Sequence, residues 1–380
     1  MEFLPDFQVS IVLYLFIAFA GLALIQLLYV LLIHGKLAFY NAKKRPGNDA
    51  QPPVTVIIAA RNESDNLFHN LPLILQQNYP EFEVIVVNHQ SIDESYHILN
   101  AFRQQYPNRL KVVEVERSRH LGVGKKLPLT LGIKAAKHEH LVFTDADCQP
   151  ASNMWLSGMV SRFSDKKEIV IGYGPYHAEK GLLNKIIRLD TAFIAMNYFS
   201  FALARFPYMA VGRNLAYTRD RFNAVHGFKS HYSISSGDDD LFIQEAAKKK
   251  NYAIQLDPKT YCYSKAKTTW GDWARQKSRH YSTTARYDVI KKTMLGIYPL
   301  TLLMLWISFV ILLFDPEYRW ITLACFGFVT IVKWWIQGRC LAKIQAKGFI
   351  ALLPLLDLFY AVLTPGMYYT AEKSTTSKWK

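Results

Sequence analysis

Apolar positions along the chain fall into two regimes. From Ser10 to Ile33 they run almost unbroken, with Gln26 the only strongly polar interruption, and a helix of that length crosses a hydrocarbon layer of ~30 Å. A second apolar territory begins at Met294 and holds three segments, Leu295 to Phe314, Trp320 to Ile336, and Phe349 to about Thr364. They fit membrane spans better than core helices, and Pro354 and Asp357 mark the last as broken or interfacial. Between Pro52 and about Arg275 the pattern changes to short apolar runs alternating with longer mixed segments, which predicts a mostly parallel sheet covered by helices, an α/β fold. The runs Val54 to Ala59, Val84 to Val87, Leu110 to Val113, Leu141 to Thr144 and Ile169 to Gly172 are nearly all apolar, as strands buried on both faces are. Ser91-Ile92-Asp93-Glu94 reads as a capping box opening a helix through about Gln105, and Lys126 to Ala136 reads as another. Leu182 to Phe206 is apolar with Lys185, Arg188 and Arg205 beside it. That segment is either a core helix or a membrane-surface helix, and an anchored protein favours the surface.

Charge orients these pieces. Met1 to Asp6 carries two acids and no base, unlike a signal peptide, so the first run reads as a retained anchor. Lys43, Lys44 and Arg45 follow it, and Arg339, Lys343 and Lys347 lie between the last two spans, which puts the middle of the chain on the cytoplasmic side. Asp315-Pro316-Glu317 suits the far side, whereas Lys373, Lys378 and Lys380 conflict with a crossing of all four segments. The expected organisation is an anchor over 1–36, a basic linker over 37–52, the α/β domain over 53–285, membrane segments over 286–370 and a basic tail over 371–380. A net charge of +15 on 380 residues serves anionic headgroups and phosphorylated substrates in such a chain, and no nucleic-acid motif is present. Cys148, Cys262, Cys325 and Cys340 have neither metal-type spacing nor a disulfide framework.

In open sheets of this kind ligands bind beyond the carboxyl ends of the strands. Arg61-Asn62-Glu63, Asn88-His89-Gln90-Ser91 and Asp145-Ala146-Asp147 occupy those places. Side chains two apart on an extended segment share a face, so Asp145 and Asp147 can address one cation, and magnesium or manganese is commonly held by one or two carboxylates plus substrate phosphates. Aspartates at strand ends also start turns and cap helices, and the two readings stand side by side.

The order of motifs is more specific than any one of them. Val54-Thr55-Val56-Ile57-Ile58-Ala59-Ala60-Arg61-Asn62-Glu63, the strand ending at Asn88, Gly124-Lys125-Lys126, Asp145-Ala146-Asp147, Gly237-Asp238-Asp239-Asp240-Leu241 and Gln276-Lys277-Ser278-Arg279-His280 together resemble glycosyltransferase family 2, with its GT-A fold, over roughly Pro52 to Tyr281. The flanking spans resemble its membrane-bound members such as ceramide glucosyltransferases and polysaccharide synthases. The resemblance implies that Ala60, Arg61, Glu63, Asn88 and His89 grip the nucleotide, that Lys125 or Lys126 meets the diphosphate, and that Asp147 binds Mg2+ or Mn2+ with Asp145 nearer the donor. It implies Asp238 as the catalytic base, with Asp239 second. Gln276 and Arg279 then fall on the donor side, and Arg213 and His280 on the acceptor side. The chain departs from the family where Asn88-His89 replaces an acidic pair, Gly237 a glutamate and His280 a tryptophan.

The expected activity is an inverting, metal-dependent transfer of a single sugar from a nucleotide sugar to a hydroxyl of a lipid or lipid-linked glycan, in a multi-pass membrane protein with a cytoplasmic catalytic domain. The expected donor is a UDP-sugar rather than a GDP-sugar. The alternatives are a processive polysaccharide synthase and a catalytically silent membrane scaffold.

Overall fold

The computed structural model describes residues 4–42, 51–116, 124–234, 236–248 and 250–372. The linker residues Lys43, Lys44 and Arg45 and the tail residues Lys373, Lys378 and Lys380 lie outside them. The described residues form two compact units, one within 4–41, 199–206 and 288–370, the other within 51–198 and 207–287.

Among the described residues the larger unit has nine strands: β1 (Val54–Ala60), β2 (Phe82–His89), β3 (Leu110–Val115), β4 (His140–Asp145), β5 (Cys148–Pro150), β6 (Ile169–Ile171), β7 (Leu215–Thr218), β8 (Tyr252–Ile254) and β9 (Cys262–Ser264). Seven of them form one sheet in the order β3-β2-β1-β4-β7-β6-β8, and β5 pairs with β9 separately. β1 lies parallel to β2 and β4, and β2 to β3; β7 runs antiparallel to β4 and β6. Every residue of β1 and β2 is buried, which explains their unbroken β-branched runs. Because β1, β2 and β4 are parallel, Ala60, Asn88 and Asp145 emerge at the same sheet edge, in register Ala60↔Asn88 and Ala59↔Asp145.

All five expected strands form, and the expected second helix forms as Lys126–Ala135. The first helix is shorter than its capping box suggested: it spans Ser95–Gln105, without a side-chain cap. Ser91 is diverted into the loop, donating to Asn88 Oδ1 (2.5 Å) and accepting from the Asn62 amide (2.9 Å). Asp93 receives the amides of Ser64 and Ser95. Tertiary partners have taken the groups that would have capped the helix. The ambiguous segment forms the helix Leu182–Leu203. Ile187, Leu189, Phe193 and Met196 are at most 4% exposed, so the expectation of a surface helix gives way to a buried one.

Among the described residues four helices are long and apolar enough to cross a membrane, Ile11–Ala38, Leu182–Leu203, Val289–Leu313 and Arg319–Lys343, and a shorter apolar stretch covers Leu353–Leu363. In the smaller unit Phe19, Leu305, Phe309 and Val329 share a core, with Phe309 stacked on Phe326 at 3.8 Å. The isolated polar residues of these helices converge. Gln26 Nε2 donates to Tyr298 O (2.9 Å) and Thr301 Oγ1 (2.7 Å), and Gln26 Oε1 accepts from Lys333 Nζ (2.9 Å). Lys333 pairs with Asp357 Oδ2 at 2.7 Å, while Asp357 Oδ1 accepts from the Tyr298 hydroxyl (2.5 Å), which accepts from Gln337 Nε2 (2.6 Å). Asp357 sits 5% exposed in a helix because its charge is answered in place. Polar groups in apolar surroundings persist only with such partners.

Removing one member of a buried ion pair strands the other, whereas replacing both leaves neither. Lys333→Met or Asp357→Leu alone lowers the unfolding midpoint of the detergent-solubilised chain more than the double substitution does; additive losses would refute the pairing.

Candidate active site

The parallel edge of β1, β2 and β4 supplies one wall. At β1, Ala60 is fully buried and Arg61 half-buried. Asn62 takes the left-handed conformation (φ +52°), which asparagine tolerates, and its Oδ1 accepts from the Ile92 amide. Glu63 Oε2 accepts from Asn66 Nδ2 (2.5 Å). At β2, Asn88 spends its amide on the protein, donating to Glu114 Oε2 (2.8 Å) and accepting from Ser91. His89 is fully buried; burial and the nearby Arg61 charge push its imidazole pKa down.

At β4 the Asp145 carboxylate meets Lys125 Nζ at 2.5 Å, and the same ammonium lies 3.6 Å from Asp238 Oδ2. Burial disfavours the charge on Lys125, but Asp145, Asp238 and Asp239 outweigh it and raise its pKa. For Asp145 burial is likewise overcome, by Lys125 first and then by Arg213 and Arg279, so its pKa is lowered. Ligand atoms of Asp145, Asp147 and Cys148 lie within 4.8 Å of one another. The Cys148 thiol is pushed up by burial and by Cys262 and Asp147, and it contacts Ser264 Oγ (3.2 Å) and Asp147 Oδ1 (3.4 Å). The two carboxylates are hard oxygen donors of the kind that fits Mg2+ or Mn2+.

Opposite stands the acidic loop. Gly237 has φ +101°, and a Cβ there would come within 2.7 Å of Leu241; the glutamate of the family pattern does not suit this turn. Asp239 Oδ1 accepts from the Asp240 amide (2.8 Å), capping the helix Asp240–Ala246, and its Oδ2 accepts from the Gly212 amide (2.9 Å). Gly212 faces the point where Lys125, Asp238 and Asp239 converge: a Cβ there would lie 3.4 to 3.5 Å from all three. Asp240 is buried and accepts from Thr283 Oγ1 (2.5 Å) and the Tyr287 hydroxyl (2.8 Å). Burial and its neighbours Asp238 and Asp240 push the Asp239 carboxyl up to about 7, against Lys125 and the Gly212 amide.

Lys126 does not reach this space. Its side chain is buried and its ammonium donates to the carbonyls of His231 (2.5 Å), Ile234 (3.0 Å) and Ser236 (2.6 Å); burial brings its pKa down to about 8. Of the adjacent lysines, Lys125 alone faces the acids of the cleft.

The third wall comes from Trp270–Tyr281 and the segment before β7. Arg213 donates to Gly174 O and lies over the Tyr176 ring at 4.6 Å. Gln276 Nε2 donates to the Tyr176 hydroxyl (3.2 Å), so both residues are bound to Tyr176. Lys277 and Asp190 form a buried ion pair at 2.9 Å, fixing this helix to Leu182–Leu203. Among the described residues the Arg279 guanidinium makes no hydrogen bond or ion pair, and it acts on Asp145 through space. His280 is exposed to solvent, and the chain packed around it, with the charges of Arg279, Lys277, Arg213 and Lys125, lowers its imidazole pKa. Sequence reading missed Tyr176, Asp190, Thr283 and Tyr287, whose signal is purely spatial.

Comparison with known proteins shows the family and the fold. The model of glycosyl transferase family 21 matches residues 16–380. The probable glycosyltransferase YdaM of Bacillus subtilis is 26% identical over 295 residues, covering 73% of this chain and 67% of YdaM. A poly-beta-1,6-N-acetyl-D-glucosamine synthase of Staphylococcus epidermidis is 28% identical over 124 residues, and the match spans only 29% of that protein. The mannosyltransferase PcManGT of Pyrobaculum calidifontis, solved with GDP-Man and Mn2+, superposes with a TM-score of 0.57 at 20% identity, covering 92% of this chain and 99% of that one. The likeness bears out the GT-A-type α/β fold.

A carboxyl whose folded pKa exceeds its unfolded value of ~3.9 keeps a proton the unfolded chain has lost. With Asp239 at about 7, its contribution to stability is full at low pH and declines as pH rises through the window between these values. Asp239→Asn removes that decline, flattening the dependence of the unfolding midpoint on pH there; an unchanged slope would refute the shift.

Proposed function

The chain belongs to glycosyl transferase family 21, and on that footing we propose that it transfers a single sugar, with inversion, from a nucleotide sugar to a hydroxyl of a lipid or lipid-linked glycan at the cytoplasmic membrane face. The chain is a glycosyltransferase; the donor, acceptor, stereochemistry and topology belong to the proposal, as does the likeness to ceramide glucosyltransferases. One observation carries it: a single ammonium, Lys125, touches both the acid at the end of β4 and the acid in the loop at 237–240. The donor-holding and proton-accepting carboxylates are thus brought to one place.

In this reading Ala60, Arg61, Glu63, Asn88 and His89 receive the nucleoside at the β1–β2 edge, where a UDP-sugar is favoured over a GDP-sugar. Asp145 and Asp147 would hold Mg2+ or Mn2+, which would neutralise the leaving diphosphate as a Lewis acid. Lys125 and Arg279 approach that diphosphate as cations, the guanidinium with a fork that matches its oxygens. Asp238 takes the proton of the acceptor hydroxyl as its oxygen bonds to the anomeric carbon and the bond to the diphosphate breaks. One displacement with one base inverts the carbon. Asp239, with both oxygens engaged by backbone amides, steadies the loop and is the second candidate for the base. Arg213 and His280 line the acceptor side, Arg213 with Gln276 through Tyr176.

Membrane residence is supported by the apolar helices, and the cytoplasmic side by the basic flanks at Arg339, Lys343 and Lys347 against Asp315 and Glu317. Similarity to a polysaccharide synthase favours a processive second reading; His280, where processive relatives carry tryptophan, favours single transfer.

The test is nucleotide release by the full chain in lipid vesicles with Mn2+ and a panel of UDP- and GDP-sugars. Release is expected with a UDP-sugar, with one sugar per lipid product. Asp147→Asn and Asp238→Asn each reduce turnover by at least about a hundredfold. Long product chains would favour the processive reading, and unchanged turnover in either variant would remove that residue's role.

A further inference from the structure

Three backbone carbonyls of one short loop point at the Lys126 ammonium, those of His231, Ile234 and Ser236, at 2.5, 3.0 and 2.6 Å. An ammonium has three N–H donors and no acceptor, so this side chain is fully engaged and has none left for a phosphate. The carbonyls explain why it is there. Negative ends of three peptide dipoles brought around one point repel one another, most strongly where water is excluded, unless a cation sits at the centre. Lys126 is only 3% exposed and supplies that cation from the first turn of the helix Lys126–Ala135.

We propose that Lys126 is a positioning residue for the transfer reaction: it is the internal counter-ion that gathers the carbonyls of His231, Ile234 and Ser236 and thereby aims Asp238 at the acceptor hydroxyl. The inference rests on reading Asp238 as the base. Ser236 is two residues before Asp238, and only Gly237 lies between. Gly237, in the left-handed conformation, has no side chain with which to fix the loop. The other end of the motif is held independently, Asp239 by the Gly212 amide and Asp240 by Thr283 and Tyr287. The cage is therefore a fastening on the N-terminal side of the base, beside the bond from the Phe242 amide to Gly237 O. Lys125, one residue earlier, contacts Asp238 itself, so one helix start secures both the backbone and the side chain of the acidic loop.

The test compares wild type with Lys126→Met, which keeps the bulk and removes the charge, in the full chain in lipid nanodiscs. Three quantities are read: amide hydrogen exchange across 229–241, affinity for the free nucleoside diphosphate, and turnover. The expected result is exchange in that segment faster by at least about tenfold, nucleotide affinity within about threefold of wild type, and turnover down by at least about tenfold through kcat rather than the donor KM. Unchanged exchange would overturn the proposal. So would a tenfold loss of nucleotide affinity with unchanged exchange, which would return Lys126 to the diphosphate. If Lys126→Met does not fold, Lys126→Arg carries the same test, because a planar guanidinium keeps the charge but cannot fill a cage of three converging carbonyls. Failure of the wild-type chain to bind or turn over any nucleotide sugar would strike the functional reading alone; the exchange measurement would still decide whether Lys126 holds the loop.

Discussion

Crowding of like charge is the constraint on which the larger unit depends. Asp145, Asp238, Asp239 and Asp240 come from distant parts of the chain into one partly buried place, and each carboxylate there raises the cost of ionising its neighbours. The fold answers with three kinds of partner. Lys125 bridges Asp145 and Asp238, backbone amides engage Asp239, and hydroxyls of Thr283 and Tyr287 engage Asp240. Asp239, which faces both other acids of its loop without an ion pair, has its carboxyl pushed up to about 7, and burial raises that of Asp240 as well.

The same physics governs the smaller unit in more apolar surroundings. Gln26, Lys333 and Asp357 would each be costly alone on an apolar helix. Gathered with Tyr298, Thr301 and Gln337 they satisfy one another, and the ion pair acquires the geometric demand of a joint between helices. A buried pair adds little net stability but restricts which packing is acceptable. Both units thus use paired charge to specify an arrangement that apolar packing would leave loose.

A cleft built this way divides labour by direction. Parallel strands deliver Ala60, Asn88 and Asp145 to one edge, the loop at 237–240 brings its acids to Lys125, and among the described residues the Arg279 guanidinium makes no hydrogen bond or ion pair. Asn88 differs: Glu114 and Ser91 occupy its amide, which is committed within the protein.

The strands, the apolar helices and the acids at strand ends were legible because each rests on a local rule: buried parallel strands read as β-branched runs, spans as uninterrupted apolar length, ligands as polar residues just past a strand. Gly237 was visible only as a departure from a family pattern, and its φ of +101° supplies the reason. What the sequence could not contain was the direction in which side chains of equal character point. Lys125 and Lys126 are adjacent and chemically identical, yet one turns to carboxylates and the other to three carbonyls some hundred residues away. Ser91 reads as a helix cap and serves a loop; Asp357 reads as a break in a span and closes an ion pair. Composition and spacing determined the fold class and the neighbourhood of the chemistry, whereas the partner of each charge was decided by tertiary structure, because electrostatic and hydrogen-bond energies depend on distances that only the folded chain sets.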